Sequence, residues 1–233
     1  MRLADMNWMQ VEQHVKHDQR AVLPLGSTEQ HGYLSLCVDV ILAERVAIEA
    51  AQPIQVPVYP TINYGFTPSF VDYPGTVSLR LSTLCALMCD ILDHMVRTGF
   101  RQIVIVNGHG GNGPAHGAIL EWLDRNRGVQ VKWHNWWNAP KTMAKVKEID
   151  PLASHASWME NLPWTRLADA PMPTAQKPMI DIEKYLRVDP GAKKELIGDG
   201  NFGGLYQRPD AELMAMWDIA VAETRSLIET GWD

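Results

Sequence analysis

Cysteine is scarce and odd in number. Cys37, Cys85 and Cys89 are the only three, and no Cys-x-x-Cys pair occurs, which argues against a disulfide framework and against a thiolate metal site. Cys85 and Cys89 fall one helical turn apart on an apolar face, the placement of buried thiols. Lysine and arginine number 21 against 27 acidic residues and nowhere gather into a patch, so a nucleic-acid surface is not expected. No apolar run approaches the ~20 residues that span a bilayer, and the opening Met1-Arg-Leu-Ala-Asp-Met-Asn-Trp8 lacks the continuous apolar stretch of a signal peptide. A cytoplasmic protein without membrane or nucleic-acid partners is the expectation. No Gly-x-Ser-x-Gly elbow suggests a serine nucleophile, and no glycine-rich loop ends in the Lys-Ser/Thr of a nucleotide P-loop. Linkers, repeats and low-complexity tracts are also missing, so residues 1–233 read as one domain acting on a small molecule.

What is present centres on residues 101–114. Ile103, Val104, Ile105 and Val106 are β-branched without polar alternation, which is how a strand covered on both faces by helices reads. Asn107, Gly108, Gly110, Gly111, Asn112 and Gly113 then supply a permissive turn, and Pro114 suits the first turn of a helix. His109 is thereby expected at the carboxyl end of a parallel strand, the edge where α/β sheets collect ligands. The plainer role for such a ring is a hydrogen bond to a loop carbonyl.

Taken in order, residues 5–15 have helical spacing and 21–25 form a compact apolar run, a strand ending in Gly26-Ser27. The turn that follows carries Glu29-Gln-His31-Gly32, an acid and an imidazole two residues apart and so on one face of extended backbone. Asp39 precedes a helical run at 41–51, where an Asp ordinarily caps the helix and can ligate as well. Residues 55–59 resemble a short strand broken by Pro57, and 61–76 a functional loop. Ser82 is placed to cap a helix built on Leu84, Leu87, Met88, Ile91, Leu92 and Met95 and ended by Gly99. A helix after Pro114 and a strand at 129–133 continue the alternation of a parallel sheet. Five of the nine tryptophans lie at 133, 136, 137, 158 and 164, more in keeping with core or subunit contacts than with a pocket wall. His155-Ala-Ser-Trp-Met-Glu160 sets an acid five residues after a histidine, a spacing that does not share a helix face. Residues 165–208 read as an irregular excursion and 209–231 as a closing helix.

Together, Glu29, His31, Asp39, His109 and Glu160 are three carboxylates and two imidazoles at turns and helix starts. That set suits divalent ions of borderline hardness, Zn, Mn or Fe, with one carboxylate able to bridge two of them. Such a pair activates water, so the chemistry indicated is hydrolysis of an amide or other acyl bond.

The same residues carry a resemblance. Leu25-Gly-Ser-Thr-Glu-Gln-His-Gly, an Asp before a helix, Tyr73-Pro-Gly-Thr, Asn107-Gly-His-Gly-Gly-Asn and His155-Ala-x-x-x-Glu160 resemble, in order and spacing from about residue 20 to 160, the creatininase (creatinine amidohydrolase) family. The resemblance implies a three-layer α/β/α sandwich around a mainly parallel sheet, two divalent ions per chain and a homo-oligomer, commonly a hexamer. It also implies that Glu29 and His109 hold one ion, His31 the second and Asp39 both, with His155 handling protons at the substrate. In creatininase itself a glutamate two residues after the equivalent of His109 completes the second ion. Gly111 stands there in this sequence, and Glu160 is the acid expected to replace it. Tyr33-Leu-Ser-Leu in place of the common Pro-His-Leu-Pro, and Phe70 where many members carry histidine, point away from creatinine itself. The expected reaction is opening of a cyclic amide (lactam) or a related cyclic carbonyl compound such as a keto-inositol. The alternatives are deformylation of a pyrimidine nucleotide, a catalytically lapsed structural relative, or a phosphate-binding module built on the glycine-rich turn.

Overall fold

The computed structural model describes residues 1–232. Asn7 opens α1 (Trp8–His14) with a reciprocal cap: its side chain accepts the Gln10 N–H while the Gln10 side chain accepts the Asn7 N–H. The apolar run at 21–25 becomes β1 (Arg20–Leu25), and α2 (Val38–Ala51) follows. Cys37, not Asp39, occupies the cap position of α2, so the Asp39 side chain is released from capping and sits within the first turn. The helix ended by Gly99 is α3 (Leu81–Thr98); its cap is Arg80 without a side-chain bond, so Ser82 lies inside the first turn and does not cap. Leu84, Met88, Leu92 and Met95 are its buried stripe. Next come β2 (Gln102–Asn107), α4 (Ala115–Arg125), β3 (Gln130–Asn135) and α5 (Pro140–Ile149). The 165–208 excursion is less irregular than its composition suggests, holding α6 (Ile182–Tyr185) and α7 (Pro190–Ile197) before the closing helix α8 (Asp210–Glu229).

The strands form a parallel sheet in the order β1-β2-β3, with Leu25, Asn107 and Asn135 in register at the carboxyl edge. Pro57 keeps the 55–59 segment from becoming a strand; it adds only isolated parallel bridges from Val58 to Val22, on the outer edge of β1, and to Arg2. Alternate residues of β1 and β2 feed two cores. Val22, Val104 and Val106 pack with α2, α5 and α8, while Ala21, Leu23, Ile103 and Ile105 pack with α3 and α4. Helices on both faces of a parallel sheet give the α/β sandwich expected from the unalternating apolar strands. Trp136 and Trp158 are fully buried in the first core and Trp164 leans on Trp217 at 5.1 Å, but Trp137 lines a cavity. The three cysteines are free and only half-buried, since the α3 face that carries Cys85 and Cys89 is partly open. Among the described residues no helix is long and apolar enough to cross a membrane.

His134, near the end of β3, ties the sheet to α8. Thr224 donates its one hydroxyl proton to the Ala220 carbonyl at 2.7 Å, so the bond of 2.9 Å from His134 Nε2 to Thr224 Oγ1 has the imidazole as donor. Burial pushes this imidazole down to about 4. Its folded value lies below the unfolded one, so the stability it contributes is complete above about pH 6.5 and is lost as pH falls toward 4, at about 1.4 kcal/mol per unit. From pH 7 to pH 5 the free energy of urea unfolding should fall by about 2 kcal/mol more in the parent than in His134→Gln. Parallel pH slopes for the two proteins would refute the assignment.

Candidate metal centre

The carboxyl edge of the sheet carries the site, because both β1 and β2 end there in glycine-bearing turns. The β1 turn delivers Glu29 and His31, and the β2 turn delivers His109. Close approach of α2 brings Asp39 between them. Gly108 makes that approach feasible, since a Cβ at that position would lie 2.3 Å from the Asp39 carbonyl oxygen. All four side chains are buried.

Their contacts are those of a ligand set. Asp39 Oδ1 lies 3.1 Å from His31 Nε2 and Asp39 Oδ2 lies 3.1 Å from His109 Nδ1, so each oxygen of one carboxylate faces a different imidazole. Glu29 Oε1 lies 3.2 Å from the same His109 nitrogen, and Glu160 Oε2 lies 4.0 Å from His31 Nε2. The far nitrogen of each ring meets a backbone carbonyl: His31 Nδ1 is 3.2 Å from Glu29 O, and His109 Nε2 is 3.1 Å from Phe66 O. With those nitrogens as donors, His31 Nε2 and His109 Nδ1 are the nitrogens that face the carboxylates, protonated without an ion and available as lone pairs once a cation displaces the proton. The carbonyl bond that was the plainer role for His109 is therefore present, and it serves the ligand arrangement rather than replacing it. Glu29 Oε1, His31 Nε2 and Asp39 Oδ2 are buried without an aligned hydrogen-bond partner. Orphaned acceptors of this kind are costly unless a cation satisfies them, so the residues present fit metal ions.

Ligand-type atoms from Glu29, Asp39 and His109 lie within 4.8 Å of one another, as do those of His31, Asp39 and Glu160, and those of Glu29, His31 and His155. The five residues proposed from sequence as ligands are thus brought together, and His155 joins them. Burial alone would lower His31, but the Asp39 carboxylate overrides it and pushes the imidazole up to about 10. His109 is likewise raised against burial, by Glu29 and Asp39. Burial also opposes ionisation of Asp39, and the charge of His31 overcomes it, holding the carboxyl below the usual carboxylate range. Glu160 responds in the opposite sense: burial pushes it up to about 7. His155 is held well below its ordinary value by burial, with His31 adding to the effect.

Around these side chains stand residues that lie within the recognised motifs but to which the sequence assigned no role. Ser27 donates to Glu29 Oε2 at 3.2 Å, leaving Oε1 as the free oxygen. Gln30 frames His155: its side-chain carbonyl accepts the Gly32 N–H at 3.0 Å, which turns its amide nitrogen to His155 Nε2 at 2.8 Å. Asn107 accepts the His109 N–H at 3.2 Å and donates to the His109 carbonyl at 2.7 Å. Asn112 joins three segments, donating to Gly26 O and Asn107 Oδ1 and accepting from the Phe66 N–H. The only available signal was the pair of asparagines bracketing the glycines, and backbone permissiveness explained them equally well. Ala156 has φ of 59°, and its N–H donates to Glu160 Oε2 at 2.6 Å, which turns the acid back toward His31 from a residue five positions after His155. Gly111 is closed as well as acid-free: a Cβ there would lie 2.3 Å from both His109 Nε2 and the Phe66 carbonyl.

Residues 4–180 match the family model described as creatinine amidohydrolase. The creatinine amidohydrolase of Pseudomonas putida is 30 % identical over 165 residues, which are 64 % of this chain and 62 % of that enzyme. The 3-dehydro-scyllo-inosose hydrolase of Thermotoga maritima is 30 % identical over 146 residues, 61 % of this chain and 47 % of that protein. The mycofactocin precursor peptide peptidase of Mycolicibacterium smegmatis is 34 % identical over 119 residues, 48 % and 47 % of the two chains. The chain therefore spans less than two thirds of the length of each of these curated relatives. Among solved structures, a creatininase variant with one tryptophan changed to phenylalanine superposes with a TM-score of 0.80 at 25 % identity, covering 97 % of both chains.

Proposed function

The chain belongs to the creatininase family, and from that premise we propose that it is a metal-dependent hydrolase that opens a cyclic amide or a related cyclic carbonyl compound. The observation that carries this reading is the double exposure of Asp39, whose two oxygens face His31 and His109 separately. One carboxylate thus joins two abutting donor groups, Glu29-Asp39-His109 and His31-Asp39-Glu160, and these residues would hold two divalent ions. Bound there, such ions lower the pKa of water toward neutrality and polarise a carbonyl oxygen.

The chain's own residues supply the proton steps. In the hydrolysis, the water oxygen bonds to the carbonyl carbon, the carbon–nitrogen bond breaks, and the nitrogen leaves with a proton. With Glu160 serving the second donor group, the proton falls to His155, which lines the same cavity. His155 stays neutral in its buried position, with Nε2 held between the Gln30 side-chain nitrogen at 2.8 Å and the Gln30 carbonyl oxygen at 3.1 Å, and Nδ1 3.9 Å from Glu29 Oε1. It is placed to orient the carbonyl substrate. The cavity that opens on these groups has no lysine or arginine in its lining among the described residues. A nucleotide phosphate would want one, which ranks the cyclic substrates above the pyrimidine nucleotide.

Dialysis against a chelator tests the reading. Protein purified without chelator should hold about two ions per chain, and stripping them should abolish turnover of cyclic amides, with Mn or Zn restoring it. At 100 times the dissociation constant each ion should also add about 2.7 kcal/mol of stability, visible as a rise in Tm independent of turnover. Protein that takes up no metal, shows no thermal shift and turns over nothing when metal is supplied would refute it.

A further inference from the structure

The cavity next to the ligand set is walled by rings, and the rings bear on what the substrate carries. Phe70 stacks on His155 with centroids 4.7 Å apart and planes 16° from parallel. Phe202 closes in on His155 at 5.0 Å, and Tyr185 meets Phe202 edge-on at 4.9 Å. The cavity they enclose with Trp137 and Met159 measures about 550 Å³, within the roughly 300–1,000 Å³ that surrounds a drug-sized ligand. A small unsubstituted ring would leave most of it unfilled.

Beyond the acids and imidazoles of the donor set, its polar side chains are Thr67, Ser69, Asn138, Ser154 and Tyr185, and the two serines are committed. Ser154 donates to the Gly203 carbonyl at 2.6 Å, and Ser69 accepts from Lys193 Nζ at 3.0 Å. The Lys193 ammonium also lies over the Tyr185 ring, 4.8 Å from its centroid, and is spent there. Thr67 lines the cavity, is 2 % exposed, and its hydroxyl has no partner. At the outer side Leu186, 73 % exposed, carries the apolar lining toward solvent. A polyhydroxylated ring would lose more hydrogen bonds to water than this lining can return, whereas an apolar group gains from it.

We infer that the substrate bears an aromatic or similarly bulky apolar group beside the scissile carbonyl, seated against Phe70, Phe202 and Tyr185. The inference rests on the hydrolase reading, which places the scissile carbonyl at the ligand set. Its test is a binding measurement that needs no turnover. Calorimetry on the metal-loaded protein would compare acetohydroxamate with 3-phenylpropanohydroxamate, two probes with the same metal-binding head and different tails. The phenyl-bearing probe should bind at least about tenfold tighter. In Phe202→Ala, and independently in Tyr185→Ala, that ratio should fall below about threefold with the metal content unchanged. Equal affinities in the parent, or binding of neither probe, would overturn the inference. Failure of the hydrolase reading shows elsewhere, as missing metal and missing turnover in the chelator experiment.

Discussion

Asp39→Asn should lose at least about 10³-fold in kcat/KM, equivalent to about 4 kcal/mol of transition-state stabilisation, and most of its bound metal, while keeping its circular dichroism spectrum. The effect is large because one carboxylate faces both imidazoles at 3.1 Å, so a single neutralisation weakens both donor groups at once. Asparagine preserves the shape, and α2 remains anchored by Leu42, Val46 and Ala47, so the fold does not depend on the charge. His155→Gln offers the contrast: it should retain both ions and lose about 10²–10⁴ in kcat, the usual weight of a proton-handling group. Elemental analysis of the two variants side by side separates the roles. Full activity in Asp39→Asn would end the shared-ligand assignment.

The second large effect concerns Glu160, the acid proposed to stand in for the family glutamate. Glu160→Gln should hold about one ion per chain in place of about two and should lose most of its activity. Returning a glutamate to the family position should not rescue it. In Gly111→Glu the new Cβ would meet His109 Nε2 and the Phe66 carbonyl, both at 2.3 Å, so the ring that carries a ligand nitrogen must move. Overpacking of this kind costs about 1–3 kcal/mol, and the displaced ligand adds a loss of metal. The double variant Glu160→Gln/Gly111→Glu should therefore be less stable and no more active than Glu160→Gln alone. Recovery of the second ion in the double variant would show that position 111 remains open to the acid.

The sheet and the clustering of Glu29, His31, Asp39, His109 and Glu160 were legible in the sequence for related reasons. The 103–106 run has one reading because β-branched residues without alternation suit only a strand covered twice, and the glycines after it fix where the strand stops. Glu29 and His31 stand two apart in that kind of setting, and Asp39, His109 and Glu160 fall within recognisable motifs. Local signals failed where several side chains compete for one position. Asp39 and Ser82 both looked like caps, yet Cys37 and Arg80 hold those positions, because helix ends depend on backbone geometry set by tertiary packing. The roles of Gln30, Asn107 and Asn112 stayed hidden although the motifs contain them, because an amide that ties loops together has the same composition as one in solvent. Phe202 and Tyr185 reach His155 from an excursion without hydrophobic period, and no spacing announces a ring that arrives across so many residues of chain.

Ala156 holds a left-handed backbone, φ 59°, in a position where glycine would sit without penalty. A non-glycine residue there costs about 1–2 kcal/mol. Selection for thermal robustness alone would replace it, and Ala156→Gly is the kind of substitution a stabilisation campaign would choose first. Yet its N–H is the donor that aims Glu160, and a glycine's wider conformational range would let that donor wander. Ala156→Gly should therefore raise Tm and lower turnover together, a trade between durability and speed set by one backbone angle.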